Sequence, residues 1–216
     1  MEIAVSFLKS KYTMEDTIKK INETNAEYIH VDVMDGEFVP NKSFIYNDVK
    51  EILKKTNKKL DIHLMVGNPL EYILEYKNLN PEIITIHSEI NKNIDDYIDL
   101  IKSYNIKVGL SIKPKTSIET IEKYLNRIDN ILIMSVEPGK GGQKFMDNVL
   151  YKIDILEKLR AENNYNYKIS IDGGINEDTI VKVKKVDFVI SGSYICISND
   201  YQSKINELRS RCLKWI

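Results

Sequence analysis

Cysteine is scarce in this chain. Cys196 and Cys212 are the two in 216 residues, and no CxxC pair occurs. That speaks against a disulfide scaffold and a thiolate zinc site, and fits a reducing, cytoplasmic setting with both thiols structural. No apolar run approaches the length of about 18 residues that a membrane span needs. The opening MEIAVSFLKSKY lacks a basic lead and a small-residue cleavage site, so no signal peptide is expected. Charge of either sign is not in excess: Lys+Arg is 31, Asp+Glu is 32, and the net charge is −1. A nucleic-acid partner needs a cationic face, so neither nucleic acid nor membrane is expected as a partner, while one small phosphorylated ligand remains compatible. No Pro/Gly/Ser-rich linker divides the chain, which reads as a single domain over 1–216. Hydrophobic residues at 43 % and charged residues at 29 % are the proportions of a globular protein, too apolar for disorder.

What the chain does have is a recurring apolar, β-branched run. IAVSF (3–7), YIHVDVM (28–34), LDIHLMV (60–66), IITIHS (83–88), KVGLSI (107–112), NILIMSV (130–136), KISID (168–172) and DFVISG (187–192) are all of strand length. Helix-like stretches lie between them. TMEDTIKKINETN opens at Thr13 with Asp16 three residues on, a first-turn acid pattern. SIETIEKYL from Ser117, NVLYKIDILEKLRAEN (148–163) and the closing DYQSKINELRSRCLKWI carry apolar residues at three- and four-residue spacing. The tail is expected to pack Trp215 against the body. Eight strands with helical or linker crossovers predict an α/β fold, a single parallel eight-stranded (β/α)8 TIM barrel. An open doubly wound sheet is the structural alternative.

A barrel builds its site at the C-terminal ends of its strands. The chain has three histidines, and His30, His63 and His87 all sit there. Strand side chains alternate with period two. His30, Asp32 and Met34 therefore share one face, as do His63 with Met65, Ser170 with Asp172, and Leu132 with Met134 and Val136. Each alone has an ordinary reading: a core histidine, a turn aspartate before glycine, a methionine filler. Together, two imidazoles and two carboxylates at matched depth suit one divalent cation such as zinc, manganese, iron or cobalt. His87 reads equally as support for that site or as core.

Glycines cluster after the last three runs, in PGKGGQ (138–143), DGG (172–174) and SGS (191–193). Barrels often hold phosphate on the loops after strands seven and eight, with glycine allowing close backbone approach. PGKGGQ lacks both GK[ST] and the GxGxxG spacing, so no organic cofactor is expected.

In these motifs the chain resembles the ribulose-phosphate 3-epimerase family. IHVDVMDGEFVPN (29–41), LDIHLMV (60–66), IMSVEPGKGGQKF (133–145), IDGGIN (171–176) and ISGS (190–193) carry the resemblance across nearly the whole chain. It implies a metal-dependent isomerase of the pentose phosphate pathway that interconverts D-ribulose 5-phosphate and D-xylulose 5-phosphate. It assigns metal ligation to His30, Asp32, His63 and Asp172, and acid/base catalysis to Asp32 and Asp172. Ser6, His63 and Asp172 would contact substrate. So would the loop residues Gly139, Lys140, Gly141, Gly142, Gly173, Gly174, Gly192 and Ser193, with its phosphate among them. Met34, Met65 and Met134 match the family's pocket methionines. Val5 stands where proline is usual, Lys140 where an aromatic is usual, and Lys115 where glycine is usual. A homo-oligomer is expected. An epimerase of a six-carbon ketose phosphate such as allulose 6-phosphate, and a sugar-phosphate binder without turnover, are the competing readings.

Overall fold

The structure, a computed structural model, describes residues 1–213, so Trp215 lies outside the described residues. Eight strands form: β1 (Glu2–Ser6), β2 (Tyr28–Met34), β3 (Lys59–Met65), β4 (Ile83–His87), β5 (Lys107–Ile112), β6 (Asn130–Met134), β7 (Lys168–Asp172) and β8 (Phe188–Ser191). Each pairs in parallel with the next, and β8 returns to β1, closing the barrel. The open-sheet alternative is thereby excluded.

Helices cover the outside: α1 (Met14–Asn22), α2 (Tyr46–Leu53), α3 (Pro69–Tyr76), α4 (Ile94–Ser103), α5 (Leu150–Glu162), α6 (Ser193–Cys196) and α7 (Tyr201–Leu213). Local chemistry sets their starts. The Thr13 hydroxyl oxygen accepts from Asp16 N–H at 3.2 Å and donates to the Asp16 carboxylate at 2.8 Å, so α1 begins where the Thr–Asp spacing puts it. Pro69 occupies the first turn of α3, where its missing N–H removes no helix bond.

One helix-like stretch takes another form. SIETIEKYL becomes two 3₁₀ turns, Ile118–Thr120 and Glu122–Tyr124. Ile118, Ile121 and Tyr124 are buried at three-residue spacing, which matches the 3.0-residue repeat of a 3₁₀ turn. The β-branched Ile118, Thr120 and Ile121 also disfavour a continuous α-helix.

Alternation along the strands divides the molecule into two interiors. Outward residues such as Val31, Leu64, Ile86, Leu110, Ile133 and Ile171 pack against helix residues such as Ile18, Val49, Ile73 and Ile98 in one large apolar layer. Inside the barrel a smaller apolar cluster forms, with Tyr28 stacked on Phe188 at 5.3 Å beside Ala4, Ile83 and Leu132. Other inward residues are polar: Asp61, Thr85, Ser111, Asn130 and Ser170 are all buried. Most of the apolar burial therefore lies outside the strands, and polar inward residues lie beneath the site.

Gly109 faces inward on β5 opposite Thr85 of β4. A Cβ there would lie 2.8 Å from Thr85 Cβ and 3.1 Å from Thr85 Cα. We expect Gly109→Ala to destabilise the barrel by about 1–3 kcal/mol through overpacking. The urea midpoint should fall, and adding Thr85→Ala should recover part of the loss.

Candidate active site

Period-two alternation and the strand register bring four polar side chains to the barrel mouth. β2 supplies His30 and Asp32, β3 sets His63 opposite Asp32, and β7 ends on Asp172. One donor atom from each lies within 4.8 Å of the others. Asp32 Oδ1 is 3.3 Å from His30 Nε2 and 3.4 Å from His63 Nδ1. Asp172 Oδ2 is 4.0 Å from both of those nitrogens. Zinc-type bonds to such donors are about 2.0–2.2 Å, which places neighbouring donors on the order of 3–3.5 Å apart.

The donor set fits a cation for a further reason. His30 Nε2 and His63 Nδ1 are buried and have no hydrogen-bond partner. Leaving such nitrogens unsatisfied costs about 1–3 kcal/mol each, so two of them aimed at one point call for an electrophile there. The other nitrogen of each ring is held from behind. His30 Nδ1 is 2.7 Å from Asp61 Oδ2. His63 Nε2 is 2.9 Å from His87 Nε2, and His87 Nδ1 is 3.0 Å from Glu89 Oε2. Ligand histidines are commonly anchored this way. His87 therefore supports the site, which its position in the sequence left open.

Charge is dense and buried. Burial alone would lower the His30 pKa, but Asp61 and Asp32 outweigh it and hold His30 well above the usual imidazole range. Asp32 is held low by His30 and His63 despite burial. Asp172 is raised, first by burial and then by the Asp32 charge. Two nearby carboxylates with opposite tendencies are suited to alternate as proton donor and acceptor.

A cavity opens above this floor. Ser6, Asp32, Met34, Met65, Met134 and Asp172 line its deep end, and Gly139, Lys140, Gly141, Gly142, Gly173, Gly174, Gly192 and Ser193 line its upper wall. His30 and His63 are fully buried beneath the floor and are not on the wall, so His63 reaches the cavity only through the cluster. The Ser6 hydroxyl donates to Asp32 Oδ2 at 2.7 Å.

The glycine loops are shaped for close approach. Gly174 has φ +65°, and a Cβ there would lie 2.6 Å from the Phe145 backbone nitrogen. Asn41 Nδ2 donates to Gly139 O at 2.7 Å, tying the FVPN segment to the 138–143 loop.

Three residues were not singled out from the sequence. Asp61 lies two positions from His63 on β3, so alternation turned it inward, but the histidine it holds is His30 on the neighbouring strand. Glu89 lies in the turn after β4, beyond the reach of alternation. Lys9 lines the cavity wall on the loop after β1. Nothing local marked it among the many lysines.

Fold and site together define a (β/α)8-barrel enzyme with paired carboxylates and a cation-ready cluster at its mouth. The profile of the Ribulose-phosphate 3 epimerase family matches residues 2–196. The curated ribulose-phosphate 3-epimerase of Helicobacter pylori strain J99 is 37 % identical over 213 residues, covering 97 % of each chain. That of Bacillus subtilis is 32 % identical over 213 residues, covering 97 % of this chain and 98 % of its own. Among solved structures, phosphoribosyl anthranilate isomerase from Thermococcus kodakaraensis superposes with a TM-score of 0.67 at 14 % identity, covering 99 % of both chains, a likeness of fold alone. The chain belongs to the ribulose-phosphate 3-epimerase family and is an isomerase of the epimerase type.

Asp61 orients His30 without touching the cavity. Asp61→Asn should weaken divalent-cation affinity about 10–100-fold, measured by cobalt or zinc titration. Unchanged affinity would show that the His30 ring is held by packing alone.

Proposed function

We propose that this enzyme epimerises carbon 3 of D-ribulose 5-phosphate to give D-xylulose 5-phosphate, and the reverse, with the whole chain as one catalytic domain. The observation that carries the reading is the pairing of Asp32 and Asp172 around one cluster, deep in a cavity whose other end is walled by glycine loops. The family membership and the names of its curated relatives support the same substrate.

Inverting a carbon beside a ketone requires a proton taken from one face and another delivered to the opposite face. A single base does not easily reach both faces, and two carboxylates on opposite sides of the sugar meet the requirement. Asp32 stands on β2 and Asp172 on β7, separated around the barrel by β1 and β8. One carboxylate removes the C3 proton, leaving an enediolate, and the other, entering as the acid, protonates the far face. The roles exchange when the reaction runs backwards. Ser6 donates to Asp32 Oδ2 and fixes its orientation for this transfer. Met34, Met65 and Met134 wall the reacting end with side chains that carry no exchangeable proton, which protects the enediolate from stray protonation.

His30, Asp32, His63 and Asp172 would hold one divalent ion, of the zinc, iron, manganese or cobalt type, whose positive charge would stabilise the electron-rich sugar oxygens. The backbone of Gly141, Gly142, Gly174 and Gly192, with Ser193, Lys9 and Lys140, would receive the phosphate. An enzyme acting on this free metabolite works in the cytoplasm, as an assembly of identical copies.

Asp32→Asn and Asp172→Asn should each lower the epimerisation rate by about 10²–10⁴-fold or more, with loss of C3 proton exchange into solvent. A near wild-type rate in either variant removes that residue from the acid/base pair. Chelation should abolish turnover, and adding back a transition-metal ion should restore it. Lys140 lines the cavity where the family usually has an aromatic, so assays on ribulose 5-phosphate and allulose 6-phosphate should be run together. Faster turnover of the hexulose phosphate would overturn the substrate assignment and leave the chemistry intact.

A further inference from the structure

Behind His63 lies a buried relay that the proposed reaction does not use. His63 Nε2 is 2.9 Å from His87 Nε2, and the two rings meet edge to edge with centroids 5.0 Å apart and planes inclined by 26°. His87 Nδ1 in turn is 3.0 Å from Glu89 Oε2. Both imidazoles are fully buried, and Phe38 covers His87 with ring centroids 4.8 Å apart. No solvent route therefore satisfies these nitrogens.

A neutral imidazole carries one N–H, so the three contacts share their protons in a determined order. Glu89 as a carboxylate accepts only, so His87 Nδ1 carries the proton. His87 Nε2 is then a bare acceptor, which requires His63 Nε2–H to donate to it. His63 Nδ1 is left as a lone pair, and that is the atom aimed at Asp32 and Asp172.

Glu89 is itself held so that its polarity cannot easily reverse. Its Oε1 accepts from Lys113 N–H at 2.7 Å and from the Thr116 hydroxyl. The buried Lys152 donates to Lys113 O at 2.8 Å and sets a positive charge near Glu89.

We propose that Glu89 is a positioning residue that selects the His63 tautomer through His87, so that Nδ1 meets the cation as a bare lone pair. This rests on the reading of His30, Asp32, His63 and Asp172 as a cation site. Glu89 touches neither substrate nor cation, and its reach into the site is entirely through the two rings.

Glutamine makes the discriminating change. In Glu89→Gln the amide oxygen is claimed by Lys113 N–H and the Thr116 hydroxyl, which turns the amide NH₂ toward His87 Nδ1. Two donors then face each other unless His87 moves its proton to Nε2. That shift sets His87 Nε2–H against His63 Nε2–H and drives the His63 proton to Nδ1, where the cation must bind. Glu89→Asp keeps an acceptor but shortens the side chain.

The test compares cobalt affinity, by absorption titration, in the wild-type chain, E89Q and E89D, with thermal unfolding to establish that all three fold. The relay requires E89Q to lose about 10–100-fold in affinity and E89D only a few-fold. A role in packing gives the reverse order, with the isosteric Gln mild and Asp worse, and that order would overturn the relay. Nitrogen-15 spectra of the zinc-loaded wild-type chain, which has three histidines to resolve, should show the His87 proton on Nδ1 and the His63 proton on Nε2. A His87 proton on Nε2 also overturns it. Wild-type protein that takes up no cobalt sinks the cation-site reading itself, and is thereby distinct from failure of the relay alone.

Discussion

An imidazole sealed inside a barrel must have both ring nitrogens accounted for, and that requirement organises the upper half of this molecule. His30 and His63 each have one nitrogen held from behind, by Asp61 and by His87. Their other nitrogens face Asp32 and Asp172 without a hydrogen-bond partner. Buried polar groups that lack partners are costly, and a sheet carrying several would be unstable without compensation. The compensation comes from outside the barrel, where the β-branched outward faces and the helices form the main apolar layer. Stability and chemistry are thus drawn from opposite faces of the same strands.

The loops divide the work in a similar way. The segment that follows β6 is irregular, and its shape depends on positive φ at Gly139 and Gly142. It is nonetheless fixed by specific bonds. Asn41 holds Gly139 O, and Gln143 Nε2 donates to Glu137 O at 2.6 Å and Lys140 O at 2.8 Å. The Ser135 hydroxyl lies 2.8 Å from Asp172 O and 2.7 Å from Gly173 O, joining the β6 loop to the β7 turn beneath the cavity wall. Such tethers fix the backbone surface that walls the cavity.

Much of this was readable in advance because it depends on period-two alternation. Eight strand-length runs became eight strands, with ends shifted by a residue or two, and the inward set His30, Asp32, His63 and Asp172 assembled as alternation required. The 117–125 segment was misjudged because three-residue apolar spacing is shared by α and 3₁₀ turns over so short a stretch. Asp61 was within reach of the same alternation argument, whereas Glu89 lies in the turn past the end of β4 and was not. Their importance was hidden because an acid two residues from a histidine is common and gains meaning only when burial removes water as its partner. Lys9 lies apart from both cases, since nothing near it in the chain distinguishes it from an exposed lysine.

The order of residues along each strand decided which side chains face inward and at what height, because a strand's geometry is local. It also decided where glycine permits backbone turns that other residues resist. Only barrel closure decided which strands stand together, that His63 lies against His87, and that Asp172 from the seventh strand meets His30 and Asp32 from the second. Those contacts join residues from about 24 to 142 positions apart. Distances of that kind are set by the register and curvature of the whole sheet, which no short segment encodes alone.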